Sequence, residues 1–376
     1  MSDIQLNTIE EALLELRAGR VIIVVDDEDR ENEGDFICAA ELVTPETINF
    51  MAQHGRGLIC APIEEKRADE LDLPLMVNAN TALHETAFTV SIDLIGHGCT
   101  TGISAHDRAA GIRHLTHPNA KPSDFARPGH IFPLRAKNGG VLRRAGHTEA
   151  AVDLARLAGL YPAGVLVEIL NPDGSMARLP QLLEVARRFD LKIISIDDLV
   201  AYRMRTERLV RRALETPMKT LYSEFEAIVY TDITCGDCHL VLKKGEWSEG
   251  EPVLVRVHSW SETGGILGNL LADYGQQIHQ ALRKIADEGK GAFVYLRQGD
   301  KADLLARLKI YQKYMEAGEP EKFDLHTSMG KKDFGIGAQI LRDLGISKIR
   351  LLTNHPRPRT GFIGYGLEIV ENLQLK

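Results

Sequence analysis

Val21-Ile-Ile-Val-Val-Asp-Asp-Glu-Asp-Arg-Glu-Asn-Glu-Gly-Asp35 joins two opposite textures without a spacer. Val21 to Val25 is an unbroken run of β-branched apolar residues, the pattern of a strand buried on both faces. Asp26 to Asp35 then carries seven carboxylates in ten positions. A loop at the end of a buried strand is where α/β proteins build sites, because the strand holds it and solvent reaches it. So many like charges repel. A hard divalent cation such as Mg2+ would relieve that repulsion and prefers oxygen ligands. Taken alone, the run is equally well a solvated acidic turn.

Working outward, Thr8-Ile-Glu-Glu11 forms a capping box, Ile9, Ala12, Leu13 and Leu16 follow at helical spacing, and Gly19 can end that helix. Thr44-Pro45 opens a second helix with proline in its first turn. Thr89 to Asp93 alternates like a strand, and Ser104-Ala-His-Asp107 starts a helix. Thr148 precedes a helix to about Ala158, Gly164 to Ile169 is the strand after it, and Leu191 to Ser195 is a strand before a helix from Ile196. Interleaved strands and helices predict an α/β (α+β) sandwich. Arg203 to Thr220, basic and containing Pro217, is expected to be a helix tail and linker. Strands restart at Phe225–Thr231, Leu240–Lys243 and Val253–His258. The expected division is therefore residues 1–204 and 205–376.

The composition fits two ordinary globular domains: 376 residues, 44% hydrophobic and 26% charged. A net charge of -8 argues against nucleic acid or an anionic membrane as partner, since both require a basic face. The N-terminus lacks the basic and apolar regions of a signal peptide, and no apolar run approaches a membrane span. Five irregularly spaced cysteines are no disulfide framework. The expected compartment is the cytoplasm.

A second segment sharpens the acidic loop. Arg143-Arg-Ala-Gly-His-Thr148 runs straight into a helix. Gly146 and Thr148 sit at its N-terminus, where free backbone N–H groups and the helix dipole favour a phosphate. Arg144 can add a charge-assisted hydrogen bond, and His147 can offer a nitrogen ligand to a metal shared with the acidic loop. Alone, the segment would be a capped helix beside a surface arginine pair.

Together these residues resemble a known family. DDEDRENEGD, TTGIS, RPGHIFPL and RAGHTEA, in this order and spacing, are similar to 3,4-dihydroxy-2-butanone 4-phosphate synthase over about residues 1 to 203. The resemblance implies a lyase of riboflavin biosynthesis that converts D-ribulose 5-phosphate to L-3,4-dihydroxybutan-2-one 4-phosphate and formate. It implies a homodimer with active sites at the subunit interface and two divalent ions per site, Mg2+ or Mn2+. By resemblance, Glu31 and His147 bind metal. Arg30, Glu31, Asp35, Arg144, Ala145, Gly146, His147, Thr148 and Glu168 contact substrate. His130 and Glu168 match positions essential for turnover, and Cys60 matches a cysteine lining the site. The chemistry needs such groups, because a proton must leave a carbon beside a carbonyl and the resulting charge must be held. Glu33, Asp35 and Glu168 are all candidates for the base that takes it. Asp27 and Glu28 are candidates for support. His130 and Cys60 also have plain readings, a strand-end histidine and a buried inert thiol.

The second half resembles GTP cyclohydrolase II through VRVHS (Val255–Ser259), DYGQQ (Asp273–Gln277), VYLRQ (Val294–Gln298), DFGIGAQILRDLG (Asp333–Gly345) and LLTNHP (Leu351–Pro356). The family binds zinc through three cysteines, and those positions here are Ser261, Ala272 and Tyr274. A catalytic zinc needs three protein ligands and an open position, so no zinc is expected. Catalytic and phosphate-binding positions are also replaced, by Gly330, Lys332 and Pro358. A degenerate domain is the expectation. The alternatives are a bifunctional enzyme, or a regulatory or ligand-binding module. Cys235-Gly-Asp-Cys238 lacks a second pair and is expected to be a hairpin turn with two incidental thiols.

Overall fold

The computed structural model describes residues 6–27, 30–81, 86–260, 274–297, 311–313, 315–316, 331–354 and 366–375, with only the backbone described at 260, 274 and 331–334. The chain divides into two units, Met1–Arg203 and Met204–Lys376.

In the first unit the strands are β1 (Ile22–Val25), β2 (Gly34–Ala39), β3 (Cys60–Glu64), β4 (Ile92–Leu94), β5 (Phe125–Ala136), β6 (Gly164–Glu168) and β7 (Ile193–Ser195). They form one mixed sheet in the order β4-β5-β3-β6-β2-β1-β7. Its helices are α1 (Ile9–Arg17), α2 (Pro45–His54), α3 (Glu65–Glu70), α4 (Ala105–Thr116), α5 (His147–Leu157), α6 (Leu179–Phe189) and α7 (Ile196–Thr206). Successive strand side chains point to opposite faces. Ile23, Phe36, Val165 and Val167 join Ile48, Met51, Ile112 and Leu182 in one core, so α2, α4 and α6 cover that face. Helices α1 and α5 pack on the other. All four residues of β1 are buried, as a doubly covered strand requires.

The expected capping box at Thr8 and the cap at Thr44 are present. Two expectations need adjustment. Helix α5 starts at His147 on a Gly146 N-cap, not after Thr148, since Gly146 already has the extended backbone a cap needs. The strand expected from Thr89 begins at Ile92, and Thr89 itself makes only an isolated bridge to Leu75.

Asp153 of α5 is buried among donors. Its Oδ2 accepts from Val141 N at 2.7 Å and from Arg203 Nη1 at 2.7 Å, and Arg203 also donates to the Gly139 carbonyl at 2.8 Å. This pair ties the end of the first unit to the turn Gly140–Leu142, which leads into Arg143–His147.

The second unit contains β8 (Val210–Lys219), β9 (Glu224–Asp232), β10 (Cys238–Lys244), β11 (Pro252–Trp260), β12 (Gly291–Arg297), β13 (Lys348–Leu352), β14 (Glu368–Leu373), α8 (Tyr274–Glu288) and α9 (Lys331–Asp343). The sheet order is β14-β13-β11-β12-β10-β9-β8. The reading of 203–220 as helix tail and linker holds at its start, where α7 runs to Thr206, and is corrected after it: Val210–Lys219 is the edge strand β8, paired among the described residues with β9 alone. Pro217 is tolerated because an edge strand needs no second row of donors. Cys235 lies in the β9–β10 connection, and Cys238 opens β10 opposite Thr231. The positions of Ser261, Ala272, Gly330 and Pro358, and the side chains of Tyr274 and Lys332, lie outside the described residues.

Candidate active site and metal centre

Register brings the site together. Asp35 of β2 pairs with Val24 of β1 and with Glu168 of β6. Because Phe36 and Val167 face the α2–α4–α6 core, Asp35 and Glu168 face α5. The first residue of α5 is His147, only 6% exposed. Its Nε2 lies 3.1 Å from the Val24 carbonyl. A carbonyl only accepts, so Nε2 donates and Nδ1 is turned to Glu31, whose Oε2 is 3.7 Å away. A metal-binding histidine is commonly fixed in this way, with its second nitrogen on a backbone carbonyl.

The acidic loop is organised by its first residue. Asp26 Oδ2 accepts from Glu31 N at 3.1 Å and Oδ1 from Glu33 N at 2.8 Å, folding the loop back on itself. Arg30 Nη1 donates to Asp26 Oδ2 at 2.9 Å and to Glu31 Oε2 at 2.7 Å. Arg178, far along the chain, donates to the carbonyls of Glu31 (2.9 Å) and Asn32. Ligand atoms of Asp26, Glu31 and His147 all lie within 4.8 Å of one another. Glu28 lies outside the described residues.

The charges are strongly coupled. Burial would raise the Glu31 carboxyl, but His147 and Arg30 outweigh it and hold it down to about 2. Burial opposes the charged form of His147, yet the carboxylates of Asp35, Glu31 and Asp26 bring its pKa up to about 9. Asp35 is pushed up to about 7, chiefly by burial, with Glu168, Glu31 and Glu33 adding to it against His147. Glu33 is raised by burial and by Glu31. Among the described residues Asp35 Oδ1 is buried without a hydrogen-bond partner. A deficit of donors beside three clustered oxygen and nitrogen ligands suits a hard divalent cation.

The other expected residues fall into place unevenly. Glu168 Oε2 accepts from Leu58 N at 2.8 Å, and any side chain at Gly57 would collide with that carboxylate. Cys60 is buried, and burial, with Glu168 and Asp35, pushes its thiol up. Arg144 donates to the buried Glu149 at 2.7 Å. Gly146 has no side chain to fill the space that guanidinium occupies. Ala145 is exposed and Thr148 is buried in the first turn of α5. Gly146 gives the helix no side-chain cap, while the Glu149 carboxylate accepts from its own N–H. Among the described residues no hydrogen bond or ion pair joins His130 to this cluster; its partner is Asp93. His130 lies on β5, two strands from β6 and three from β2, roughly 10 and 14 Å at ordinary strand spacing.

The profile of 3,4-dihydroxy-2-butanone 4-phosphate synthase matches residues 10–202, and that of GTP cyclohydrolase II matches residues 211–374. A riboflavin biosynthesis protein RibBA of Cytophaga hutchinsonii is 57% identical, over 100% of this chain and 94% of its own length. The crystal structure of RibBX, a two domain 3,4-dihydroxy-2-butanone 4-phosphate synthase from A. baumannii, has 40% sequence identity. It covers 98% of this chain and 99% of that one, with a TM-score of 0.79. A 3,4-dihydroxy-2-butanone 4-phosphate synthase in complex with two magnesium ions is 46% identical, over 53% of this chain and 98% of its own, with a TM-score of 0.51. No helix among the described residues is long and apolar enough to cross a membrane. A buried strand feeding an acidic loop, a histidine at a helix start facing it and matches along both halves lead to one conclusion: the chain belongs to the 3,4-dihydroxy-2-butanone 4-phosphate synthase family, lyases of riboflavin biosynthesis, with a second half of the GTP cyclohydrolase II family.

Proposed function

We propose that residues 1–204 form the synthase domain, releasing C4 of D-ribulose 5-phosphate as formate and leaving L-3,4-dihydroxybutan-2-one 4-phosphate. The observation that carries this is the Asp26–Glu31–His147 cluster beside Asp35, whose buried Oδ1 has no hydrogen-bond partner among the described residues. Glu31 and His147 would hold the metal, two Mg2+ or Mn2+ per site, while Asp26 braces the loop. A divalent cation there supplies Lewis-acid stabilisation of the negative charge that develops when the carbon acid is deprotonated. The protein's own groups do the rest. The N-terminus of α5 at Ala145–Thr148 binds the phosphate with Arg144, which Glu149 holds in place. Arg30 contacts the sugar from the loop. Glu33, Asp35 and Glu168 share the proton transfers, and Cys60 closes the wall behind them. The separation of His130 from this cluster by two strands or more, and the exposed Leu75, Met76, Val77, Ile95 and Ile103, support a homodimer with the site at its interface, and the cytoplasm is the compartment of this reading.

Residues 205–376 are catalytically inactive toward GTP in this reading. Support comes from Ser261, Ala272 and Tyr274 at the family's cysteine positions. The test is formate release from purified protein. With ribulose 5-phosphate it should vanish in EDTA and return with Mg2+ or Mn2+. With GTP and Zn2+ it should not occur. Full activity in EDTA after exhaustive dialysis would remove the metal from the reading.

A further inference from the structure

Asp93, on the strand β4, plays no part in the metal cluster. It meets the one expected site residue that stands apart. Its Oδ1 accepts from His130 N at 2.9 Å, and its Oδ2 lies 2.7 Å from His130 Nδ1. The cause is a break in the ladder. The β4–β5 register shifts between Ile92 and Asp93, from Ile92↔Ile131 to Asp93↔Ala126. Across that irregularity the His130 N–H is met by a side-chain carboxylate instead of a strand carbonyl. The same carboxylate then reaches the ring. Neighbouring residues fix both partners. Ser91 Oγ accepts from Gly129 N at 3.1 Å. Gly129 lets β5 approach the Ile92 backbone where a Cβ would collide, and Gly102 likewise leaves room for the Asp93 carboxylate. The Asp93 side chain is 17% exposed and the His130 side chain 46%, so the acid is sheltered and the ring is presented to solvent.

We infer that Asp93 is a positioning residue that holds His130 with Nδ1 protonated and Nε2 presented, unprotonated in the neutral ring, to the substrate. A carboxylate can only accept, so the proton of the neutral ring must sit on Nδ1. The second nitrogen is then free to take a proton, the arrangement by which a buried acid serves a catalytic histidine elsewhere. This rests on the reading of His130 as essential for turnover. The competing role is purely structural: Asp93 closes the ladder break and its contact with the ring is incidental.

Asp93→Asn separates the two roles. An amide oxygen still accepts the His130 backbone N–H, so the strand break stays closed. The amide nitrogen faces Nδ1 as a donor and drives the ring proton to Nε2. Turnover with ribulose 5-phosphate should fall by up to roughly 10⁴-fold, the loss that an inverted histidine tautomer causes in a serine-protease triad. KM and thermal stability should stay close to wild type. The 15N spectrum of the full-length protein, at a pH where the ring is neutral, should show His130 protonated at Nδ1 in the wild type and at Nε2 in the variant. A wild-type ring protonated at Nε2, or an Asp93→Asn protein with wild-type kcat and an inverted tautomer, overturns the inference. His130→Ala is measured alongside. If it keeps full turnover, the reading of His130 fails, while the 15N result still decides the tautomer by itself.

Discussion

Two polar clusters, one in each half of the chain, differ in whether their bonding is complete. In the second unit Asp343, at the end of α9, accepts from Arg208 Nη2 (3.0 Å), Arg212 Nε (2.6 Å) and Tyr230 OH (2.7 Å). One carboxylate meets two guanidinium groups and a hydroxyl. Burial would raise that carboxyl, but Arg212 and Tyr230 outweigh it and hold it below the usual range. In the first unit Asp26, Glu31, Glu33, Asp35 and Glu168 converge on His147 and Arg30, and Asp35 Oδ1 has no donor among the described residues. The first arrangement is a closed circuit that joins a helix end to a sheet. The second carries surplus negative charge and carboxyl and imidazole pKa values displaced from their ordinary range, and unsatisfied buried groups of that kind are commonly found where a ligand completes them. The comparison separates a structural ion pair from a site without reference to sequence motifs.

The strongest way to break the comparison is to remove one member of the open cluster. Glu31→Ala or His147→Ala should cost roughly 10²-fold or more in turnover. The fold should survive, because Asp26 and Arg178 still hold the loop through backbone groups. Near wild-type turnover with unchanged metal affinity in Glu31→Ala would mean that the cluster is ornamental.

A smaller effect follows from protonation. The His147 pKa is raised from 6.5 to about 9 in the metal-free protein, so the ring keeps its proton through neutral pH. Its contribution to stability is fully present below 6.5 and is lost as pH rises through about 9. A ligating imidazole must be neutral, so metal must displace that proton. Apparent Mg2+ affinity should therefore climb by up to about tenfold per pH unit toward that upper limit and then level off. Calorimetry in two buffers of different ionisation enthalpy would count the proton released. A pH-independent affinity with no proton release would place the metal elsewhere.

The smallest expected effect is none. Cys235→Ser with Cys238→Ser should leave formate release from ribulose 5-phosphate unchanged and should abolish any zinc that those thiols scavenge. Stoichiometric zinc surviving in that double variant, with GTP-dependent formate release, would show a working second half.

How much of this was readable beforehand varied with the range of the interaction. Strand β1 and the α1 capping box depend on neighbouring residues and were plain in the sequence. The role of Asp26 was not, because its carboxylate is chemically the same as the other six and only the fold of the loop distinguishes it. Arg178 and Asp93 act across long separations, with no motif to announce them. Strand β8 was mistaken for a linker because an edge strand, largely exposed along its length, lacks the alternation that identifies a strand. His130 was legible as a motif residue, whereas its distance from Glu168 was not.

Arg203 stands at the seam between the two units. It is the last residue of the first unit, and its guanidinium donates within that unit to Asp153 and Gly139. A truncation that stops at Tyr202 would remove the buried cation of Asp153 and leave it only Arg156, 3.5 Å from Oδ1 and more exposed, a loss of up to about 3–5 kcal/mol, the scale for a buried pair with one partner removed. The damage would surface at the turn before Arg144 and His147, because Asp153 also holds Val141. Separation of the halves, in evolution or at the bench, therefore has to leave Arg203 with the synthase.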